Sequence, residues 1–500
     1  MSNYSYPKLF LFCIGGTGSR VLKALTFLMA AGVDIKASQI IPIIIDPDRA
    51  NGDVTRTIEI LNKYRDVRSK LEFDRNKFFN AEFQTLNSLD VATGEGKEVG
   101  STTAEGFRFG IDGTKEGRFK DFIAFDKLQG ANRALLSALF TEENLDAELK
   151  AGFKGNPHMG SVVLNRFSES EDFNFFASRF SQNDRVFIVS SIFGGTGAAG
   201  FPLLVKNIRS PRTSLRNPEW IKNARLGAIT VKPYFGVKQV DDSKINSGTF
   251  ISKTKAALEY YHSNITGNNS LNALYYLGDT LTLDYNYNEG EMGQKNMAHL
   301  IEFLGAMAVI DFMGLEDHSL VTEDSKAINP IYKEYGLNGD VKTVTVKNLG
   351  RQTRNRVFKP LTQYTYSYLY WSRNLSSFPS NQPWTKGFDD SFLTSQFFDD
   401  DLRQFNRRYE EWLNEMGLNE RGLKLFRLDM GHGLLHQVIE GIKHRKKGLF
   451  AKERWSFSEF EGYLNSVDGK VRATALPALF MELFYMATEK IFDDRIPNSN

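Results

Sequence analysis

The feature that most constrains this chain is a glycine-rich loop set between an apolar run and a helical pattern. The run Arg185-Val-Phe-Ile-Val-Ser190 has the continuous apolar character of a strand buried on both faces. It is followed by Phe193-Gly-Gly-Thr-Gly-Ala-Ala-Gly200 and then by helical spacing from Phe201 to Ile208. In this order, unhindered backbone N–H groups gather at the start of a helix, where the helix dipole attracts anions. The loop therefore predicts phosphate binding.

The N-terminus contains the same unit. An apolar run from Leu9 to Ile14 precedes the turn Gly15-Gly16-Thr17-Gly18, and helical spacing follows. A second apolar run, Ile40 to Ile45, ends in Asp46-Pro47-Asp48, as expected of a buried parallel strand whose polar residues emerge at its carboxyl end. A third glycine loop contains Gly155-Asn156-Pro157-His-Met-Gly160. Three such loops in one chain are far more specific for phosphate than one.

Strand and helix patterns alternate across the first 280 residues. Further strands are predicted at Leu226 to Val231 and Leu274 to Leu277, with a helix from about Ile251 to His262 between them. This alternation predicts an α/β fold, a Rossmann-type parallel sheet flanked by helices. Residues 51–150 are more polar and glycine-rich, and we interpret them as a large insertion.

The pattern changes after a predicted helix at Asn296 to Met313. We place a domain boundary near Asn329-Pro330, which gives a first domain of residues 1–329. Helical patterns at Asp399 to Met416 and Phe457 to Phe492 predict a helix-rich α+β second domain, residues 330–500. This second domain is expected to support assembly or to bind a protein partner.

Composition narrows the classes of partner and compartment. The chain has 500 residues, and 62 basic and 60 acidic side chains leave a formal charge of +2, which gives no footprint for nucleic acid. The single cysteine, Cys13, fits a reducing compartment and excludes a cysteine-clustered zinc site, and we assign no metal-binding residues. No run reaches the roughly 18 apolar residues of a membrane span. We expect a cytoplasmic protein without a membrane span.

Two familiar phosphate motifs can be tested by their spacing. No glycine is followed by Lys and a hydroxyl residue as GxxxxGK[ST] requires, so an ordinary P-loop is excluded. The dinucleotide fingerprint GxGxxG is approached by Gly16-Thr-Gly18-Ser-Arg-Val21, where Val21 replaces the third glycine and Asp46 mimics the ribose-binding acid. An NAD-dependent Rossmann oxidoreductase therefore remains an alternative.

The order of the loops resembles the tubulin/FtsZ superfamily, closest to FtsZ and bacterial tubulin-like proteins. The family's signature GGGTG(T/S)G corresponds to the loop ending at Gly200, and its GxNPxxG-like loop to Gly155 through Gly160. Val231-Lys-Pro-Tyr-Phe-Gly236 is similar to its KPFxFEG segment. The resemblance covers roughly residues 5 to 320, with residues 51–150 interrupting it.

This resemblance implies binding of GTP or GDP with Mg²⁺, and head-to-tail self-association into an oligomer or filament with nucleotide at the subunit junction. It places the three glycine loops around the phosphates and the residues at the start of the central helix beside the base. The implied nucleotide-binding residues are Gly15, Gly16, Thr17, Gly18, Asp46, Asp48, Gly155, Asn156, Pro157, Gly194, Gly195, Thr196, Gly197, Ala198, Asn296 and His299.

The chain departs from the family where hydrolysis is completed. In FtsZ an NxDxxD loop after the central helix reaches the nucleotide of the next subunit, whereas this chain reads Asp311-Phe-Met-Gly-Leu-Glu316-Asp317. Glu316 and Asp317 are the candidates to orient water or hold a cation. GTP hydrolysis is left open, and a non-polymerising nucleotide sensor with little or no hydrolysis is the second hypothesis. Phe193 and Ala198 also replace a glycine and a hydroxyl residue of the signature.

Overall fold

The computed structural model describes residues 6–72, 77–89, 106–110, 117–153, 155–237, 247–279, 284–285, 296–335, 341–429, 434–442, 444 and 455–497. The strands within these ranges are β1 (Leu9–Ile14), β2 (Ile40–Ile45), β3 (Arg185–Ser191), β4 (Arg225–Val231), β5 (Gly236–Val237), β6 (Ala273–Leu277), β7 (Asp284–Tyr285), β8 (Thr322–Glu323), β9 (Lys326–Ala327), β10 (Ile331–Tyr335), β11 (Thr343–Val344) and β12 (Gly422–Leu423).

The α-helices within the same ranges follow in chain order. They are α1 (Gly15–Ala30), α2 (Gly52–Ser69), α3 (Phe119–Phe122), α4 (Gly130–Leu139), α5 (Glu142–Asp146), α6 (Pro157–Leu164), α7 (Glu171–Arg179), α8 (Gly195–Arg209), α9 (Pro218–Lys222), α10 (Ser247–Tyr261), α11 (Leu300–Met313), α12 (Arg351–Arg373), α13 (Asp390–Leu393), α14 (Arg403–Leu418), α15 (Phe457–Val467) and α16 (Leu476–Arg495).

The centre of the fold is a six-stranded sheet in the order β10-β6-β4-β3-β1-β2. Every pair in it is parallel. All residues of β1, β2 and β3 are buried, which explains why these strands are continuous apolar runs rather than alternating ones. The predicted α/β class, a Rossmann-like parallel sheet flanked by helices, is confirmed.

The sheet extends past the predicted domain boundary. β10 begins at Ile331, one residue after Asn329-Pro330, and pairs in parallel with β6 at the sheet edge. The predicted helix Phe457 to Phe492 is two helices, α15 and α16, and the segment between them contains residues 468–475. The division into two domains stays a prediction.

The predicted insertion, residues 51–150, contributes a helix to the core and two segments to the edge of the sheet. Its first helix, α2, packs along α1 and is capped by Asn51, whose side chain accepts from the N–H groups of Asp53 and Val54. Phe83 and Arg108 form isolated parallel bridges with β2. These bridges cover the outer edge of β2, which would otherwise expose a row of unpaired backbone groups.

The C-terminal helices share a core with the first helix of the sheet domain. The ring of Phe27 on α1 lies 5.4 Å from that of Phe405, 5.7 Å from Tyr409 and 5.1 Å from Trp412, all on α14. Aromatic clusters of this kind bury large apolar areas and fix ring geometry. α14 is therefore held directly against the helix that follows the first glycine loop.

Over the described part of the chain, no helix combines the length and the apolar character that crossing a membrane requires.

Candidate functional site

The starts of α1 and α8 meet at the carboxyl edge of the sheet. They follow β1 and β3, which are neighbours in the sheet. A Cβ added to Gly15 would lie 3.6 Å from Cβ of Thr196 and 3.9 Å from the backbone N of Gly197. The two predicted glycine loops are therefore in contact with each other, at the place where open parallel sheets bind ligands.

Both helix starts keep their positive ends open. The N-cap residues, Ile14 of α1 and Gly194 of α8, make no side-chain capping hydrogen bond within the described ranges, and neither helix has an acidic residue in its first turn. The first N–H groups of a helix have no partner within the helix. Two such ends side by side make a strong anion site, because the helix dipoles add to the backbone donors.

The glycines divide into packing and accessible positions. Gly15, Gly18, Gly195 and Gly197 are buried, and a Cβ on Gly18 would lie 2.5 Å from the carbonyl carbon of Cys13. The partly exposed residues of the two loops are Gly16, Thr17, Gly194, Thr196 and Ala198. The buried glycines allow the close approach of backbone, and the accessible residues are the ones that a phosphate can reach.

The third loop closes on the second. Asn156 caps α6 by accepting from the N–H groups of His158 and Met159, and Pro157 occupies the first turn. A Cβ on Gly195 would lie 3.1 Å from the backbone N of both Gly155 and Asn156. Asn156 and Pro157 thus shape the loop, and the backbone of this loop lies against the start of α8.

Phe193 has a packing role in place of the family's glycine. Its ring lies 5.5 Å from Phe235 and 6.2 Å from Tyr234. This aromatic cluster ties the signature loop to the segment after β4. Phe193, which replaces the first glycine of the signature, therefore anchors the loop through its ring. The accessible residues of the loop are unaffected by this replacement.

The two aspartates after β2 differ in exposure. Asp48 is buried and its Oδ1 accepts from the N–H of Ala50, so it shapes the turn. Asp46 is partly exposed and accepts from the N–H of Asp48 at 3.0 Å and from the amide of Asn51 at 3.3 Å. Desolvation of this partly buried carboxyl raises the pKa of Asp46 to about 7. A hydroxyl donor or cation nearby would stabilise its charged form.

The predicted base-reading residues have partners within the chain. The amide of Asn296 donates to Asp53 at 3.0 Å. His299 precedes α11, and its Nδ1 accepts from the N–H of Ile301. Burial lowers the pKa of His299 to about 4, so the ring is neutral near pH 7. Contact of either residue with a base stays a prediction.

A buried ionic cluster fixes the start of α11 beside α1, and the sequence analysis did not find it. Arg20 donates to Glu302 at 2.7 Å through Nε and to the carbonyl of Met297 at 2.8 Å. Lys23 lies 3.5 Å from the other oxygen of Glu302. Burial opposes ionisation of Glu302, but the charges of Arg20 and Lys23 outweigh it and lower the pKa of Glu302.

Lys253 is a second residue that the sequence analysis missed. It lies on α10, and its Nζ donates to the carbonyl of Gly155 at 2.7 Å. Burial lowers the pKa of Lys253. A lysine at this position adds positive charge to the third loop, and the only sequence signal for it is a basic residue on the helix that follows the KPYFG segment.

The acidic loop lies at the amino ends of the sheet strands, whereas the glycine loops lie at their carboxyl ends. Arg185 and Arg225 begin β3 and β4, and Oδ1 of Asp317 lies 2.8 Å from Nη2 of Arg185 and 3.5 Å from Nε of Arg225. Glu316 is exposed beside it. The 14 residues of α11 separate the two regions by about 21 Å. Within one chain the acidic pair does not meet the glycine loops.

Comparison with known proteins gives weak structural overlaps. No protein-family model matches the sequence, and no curated protein matches it. Among solved structures, CetZ from Methanosaeta thermophila overlaps with 12% identity and a TM-score of 0.28, covering 62% of this chain and 52% of that one. CetZ2 from Haloferax volcanii, described as a GTPγS-bound protofilament, gives 11% and 0.28, covering 62% and 61%.

A two-stranded filament of TubZ-Bt gives 11% identity and a TM-score of 0.27, covering 82% of this chain and 79% of that one. This chain spans about half the length of CetZ from Methanosaeta thermophila. CetZ and TubZ are proteins of the tubulin/FtsZ family.

Proposed function

We propose that this chain binds a guanine nucleotide at the carboxyl edge of its sheet and assembles head to tail, with the nucleotide at the junction between subunits. The proposal is supported by the site and by the order of its loops, which resembles the tubulin/FtsZ superfamily. The low TM-scores of the overlapping structures add nothing to it.

The observation that carries the proposal is the contact between the uncapped starts of α1 and α8. A nucleoside di- or triphosphate carries several negative charges in a row, and two adjacent helix starts supply separate sets of N–H donors for them. Thr17 and Thr196 offer hydroxyl groups at the accessible positions. The third loop adds backbone groups, and Lys253 adds charge behind it.

The residues also fit Mg²⁺ held mainly by the nucleotide. No group of three His, Cys, Asp or Glu side chains suited to a metal occurs among the described residues. Mg²⁺ commonly keeps several waters and takes substrate phosphates with one or two protein oxygens. The hydroxyl of Thr196 and the carboxylate of Asp46 are the groups at this edge that would hold it. The bound ion would neutralise phosphate charge.

The separation of the acidic loop from the glycine loops supports head-to-tail assembly. Glu316 is exposed at the amino edge, so only a second copy can bring it to the glycine loops of the first. A carboxylate there would orient the attacking water. The nucleotide loops would meanwhile bind the phosphates and hold them in line.

The non-polymerising sensor remains the second candidate, and one observation favours it. Asp317 is held by two arginines of its own chain, Arg185 and Arg225. A carboxylate that already compensates the buried Arg185 and the partly exposed Arg225 is less free to act on a neighbouring nucleotide. In this candidate the chain binds nucleotide without assembly.

Binding is tested by equilibrium titration of GTP, ATP and NAD against the full chain and two glycine variants. Gly195→Val places a side chain against Gly155 and Asn156 in the site. Gly462→Val is the matched control, because an added Cβ there meets no atom within 4 Å. We expect GTP binding that is lost only in Gly195→Val. Binding of NAD alone would establish the oxidoreductase alternative, and no binding of any of the three would refute the proposal.

Assembly is tested by sedimentation with GTP and with GDP. We expect GTP-dependent pelleting, and slower GTP turnover in Glu316→Gln with nucleotide affinity unchanged. Glu323→Gln is the control, because Glu323 is another exposed carboxylate in the segment that follows α11. GTP binding without pelleting would select the sensor.

A further inference from the structure

A cavity of about 420 Å³ lies in the C-terminal region, between the end of α12 and the start of α14. Its volume falls within the range of about 300–1,000 Å³ that small-molecule sites occupy. None of the residues that line it belongs to the glycine loops. It also lies beyond the part of the sequence that resembles the tubulin/FtsZ superfamily.

One wall of the cavity is aromatic and apolar. Trp371, Phe398 and Leu402 contribute to it, and all three are buried. The indole Nε1 of Trp371 has no hydrogen-bond partner among the described residues, although the side chain is only 4% exposed. The guanidinium of Arg403 lies over the Phe398 ring at 5.2 Å, so the indole of Trp371 is the flat ring that suits a planar ligand.

A buried amide adds a polar group to the same wall. Asn406 lines the cavity and is 4% exposed. The hydroxyl of Tyr364 donates to its Oδ1 at 2.7 Å, which fixes the amide orientation. Within the described part of the chain, its Nδ2 has no hydrogen-bond partner of its own. This donor is available to a ligand.

The rim carries excess positive charge. Arg373, Arg403 and Arg407 line the cavity together with a single carboxylate, Glu410. Arg373 lies 3.6 Å from Glu410, and Arg403 pairs with Asp399. Arg407 is exposed and forms no ion pair with any described residue. Guanidinium groups match phosphate oxygens in geometry as well as in charge.

We propose that this cavity binds a small aromatic phosphate monoester. Its ring would lie against Trp371, and its phosphate would be held by Arg407 with help from Asn406. Glu410 pairs with Arg373 and Asp399 pairs with Arg403, so one positive charge, that of Arg407, is left to meet the phosphate. An aliphatic ligand would make no use of the aromatic wall, and a neutral ligand would make no use of the positive charge at the rim.

The test is calorimetric titration of the full chain with naphthyl phosphate, naphthol and inorganic phosphate. We expect one naphthyl phosphate per chain, with affinity at least about tenfold above that of either fragment, the size of one charge-assisted hydrogen bond. Arg407→Ala should weaken it about tenfold. Ser376→Trp, which fills the exposed mouth of the cavity, should abolish it.

Two neighbours provide matched controls. Arg408 pairs with Glu59 and Glu411 and does not line the cavity, so Arg408→Ala should bind the probe as the parent does. Ser377→Trp is the corresponding control for Ser376→Trp. Gly195→Val should also retain probe binding, which separates this cavity from the nucleotide site. No binding of the probe, equal binding in Ser376→Trp, or equal affinity for naphthol would overturn the proposal.

Discussion

Asp46 offers a test of the site in which the sign of a pH dependence is decisive. Burial raises the pKa of its carboxyl from 3.8 to about 7. The native chain therefore keeps a proton on Asp46 that the unfolded chain has already released. The stability that this group contributes is fully present below its unfolded pKa and is lost as the pH rises through about 7.

Asp46→Asn keeps the shape of the side chain and removes its titration. At 1.36 kcal/mol per pH unit, the gain in free energy of unfolding over the parent should grow by about 2 to 3 kcal/mol between pH 5 and pH 8. The amide has one oxygen in place of two, so it loses one of the two accepted hydrogen bonds at both pH values, and the change between pH 5 and pH 8 isolates the titration. A stabilising substitution at a polar position is typical of a group retained for function.

The assay is urea unfolding followed by tryptophan fluorescence at both pH values, for the parent, Asp46→Asn and Asp66→Asn. Asp66 is an exposed carboxylate on α2 and controls for the loss of a surface charge. Comparing variant with parent at each pH cancels the titration of groups common to both, such as His299. A gain of the same size at pH 5 and pH 8 would refute the reasoning, as would the same profile in Asp66→Asn.

Three further changes test the packing around the site by the same unfolding assay. Gly227→Ala places a methyl group 2.7 Å from the ring of Phe312, and we expect a loss of about 1–3 kcal/mol from overpacking. Phe27→Ala removes the ring that α14 packs on, and we expect a loss of about 3–5 kcal/mol; an unchanged midpoint would mean that α14 is not held there. Gly462→Ala lies on an exposed helix position with no atom within 4 Å and should stabilise the chain by about 1 kcal/mol.

The sequence predicted five of the six sheet strands because buried parallel strands are continuous apolar runs. It missed β10, whose Ile331-Tyr-Lys-Glu-Tyr335 contains two adjacent charged residues and so is not an apolar run. β10 is an edge strand, and Tyr332 is 51% exposed. An edge strand of this kind needs less apolar sequence than a central one, so periodicity alone did not separate it from a loop.

The glycine loops were predictable for a local reason, and the ionic contacts around them were not. A strand, a glycine turn and a helix are adjacent in sequence, so their juxtaposition follows from chain connectivity. Arg20 and Glu302 are 282 residues apart, and Lys253 reaches a carbonyl 98 residues away. Such pairs depend on which helices the fold brings together, and one sequence carries no signal for that choice.

α11 connects the two edges of the sheet, and buried arginines hold both of its ends. Arg20 anchors its start through Glu302. Arg185 anchors its end by donating to the carbonyl of Phe312 at 2.8 Å and to that of Leu315 at 2.8 Å. Separating a buried charge from its partner costs about 3–5 kcal/mol.

A nucleotide can shift a conformational equilibrium only by its difference in affinity for the two states. A switch that slides α11 along α1 would separate Arg20 from Glu302 and would need a differential affinity of at least several hundredfold for a cost of about 4 kcal/mol. Movement confined to the loops that would touch the nucleotide breaks no buried ion pair, so it needs no such difference in affinity. Under the proposed function, we therefore expect α11 to stay fixed between GDP and GTP states while the glycine loops and the Gly155 segment change. Amide hydrogen exchange in both states measures this directly, and altered protection along α11 would contradict it.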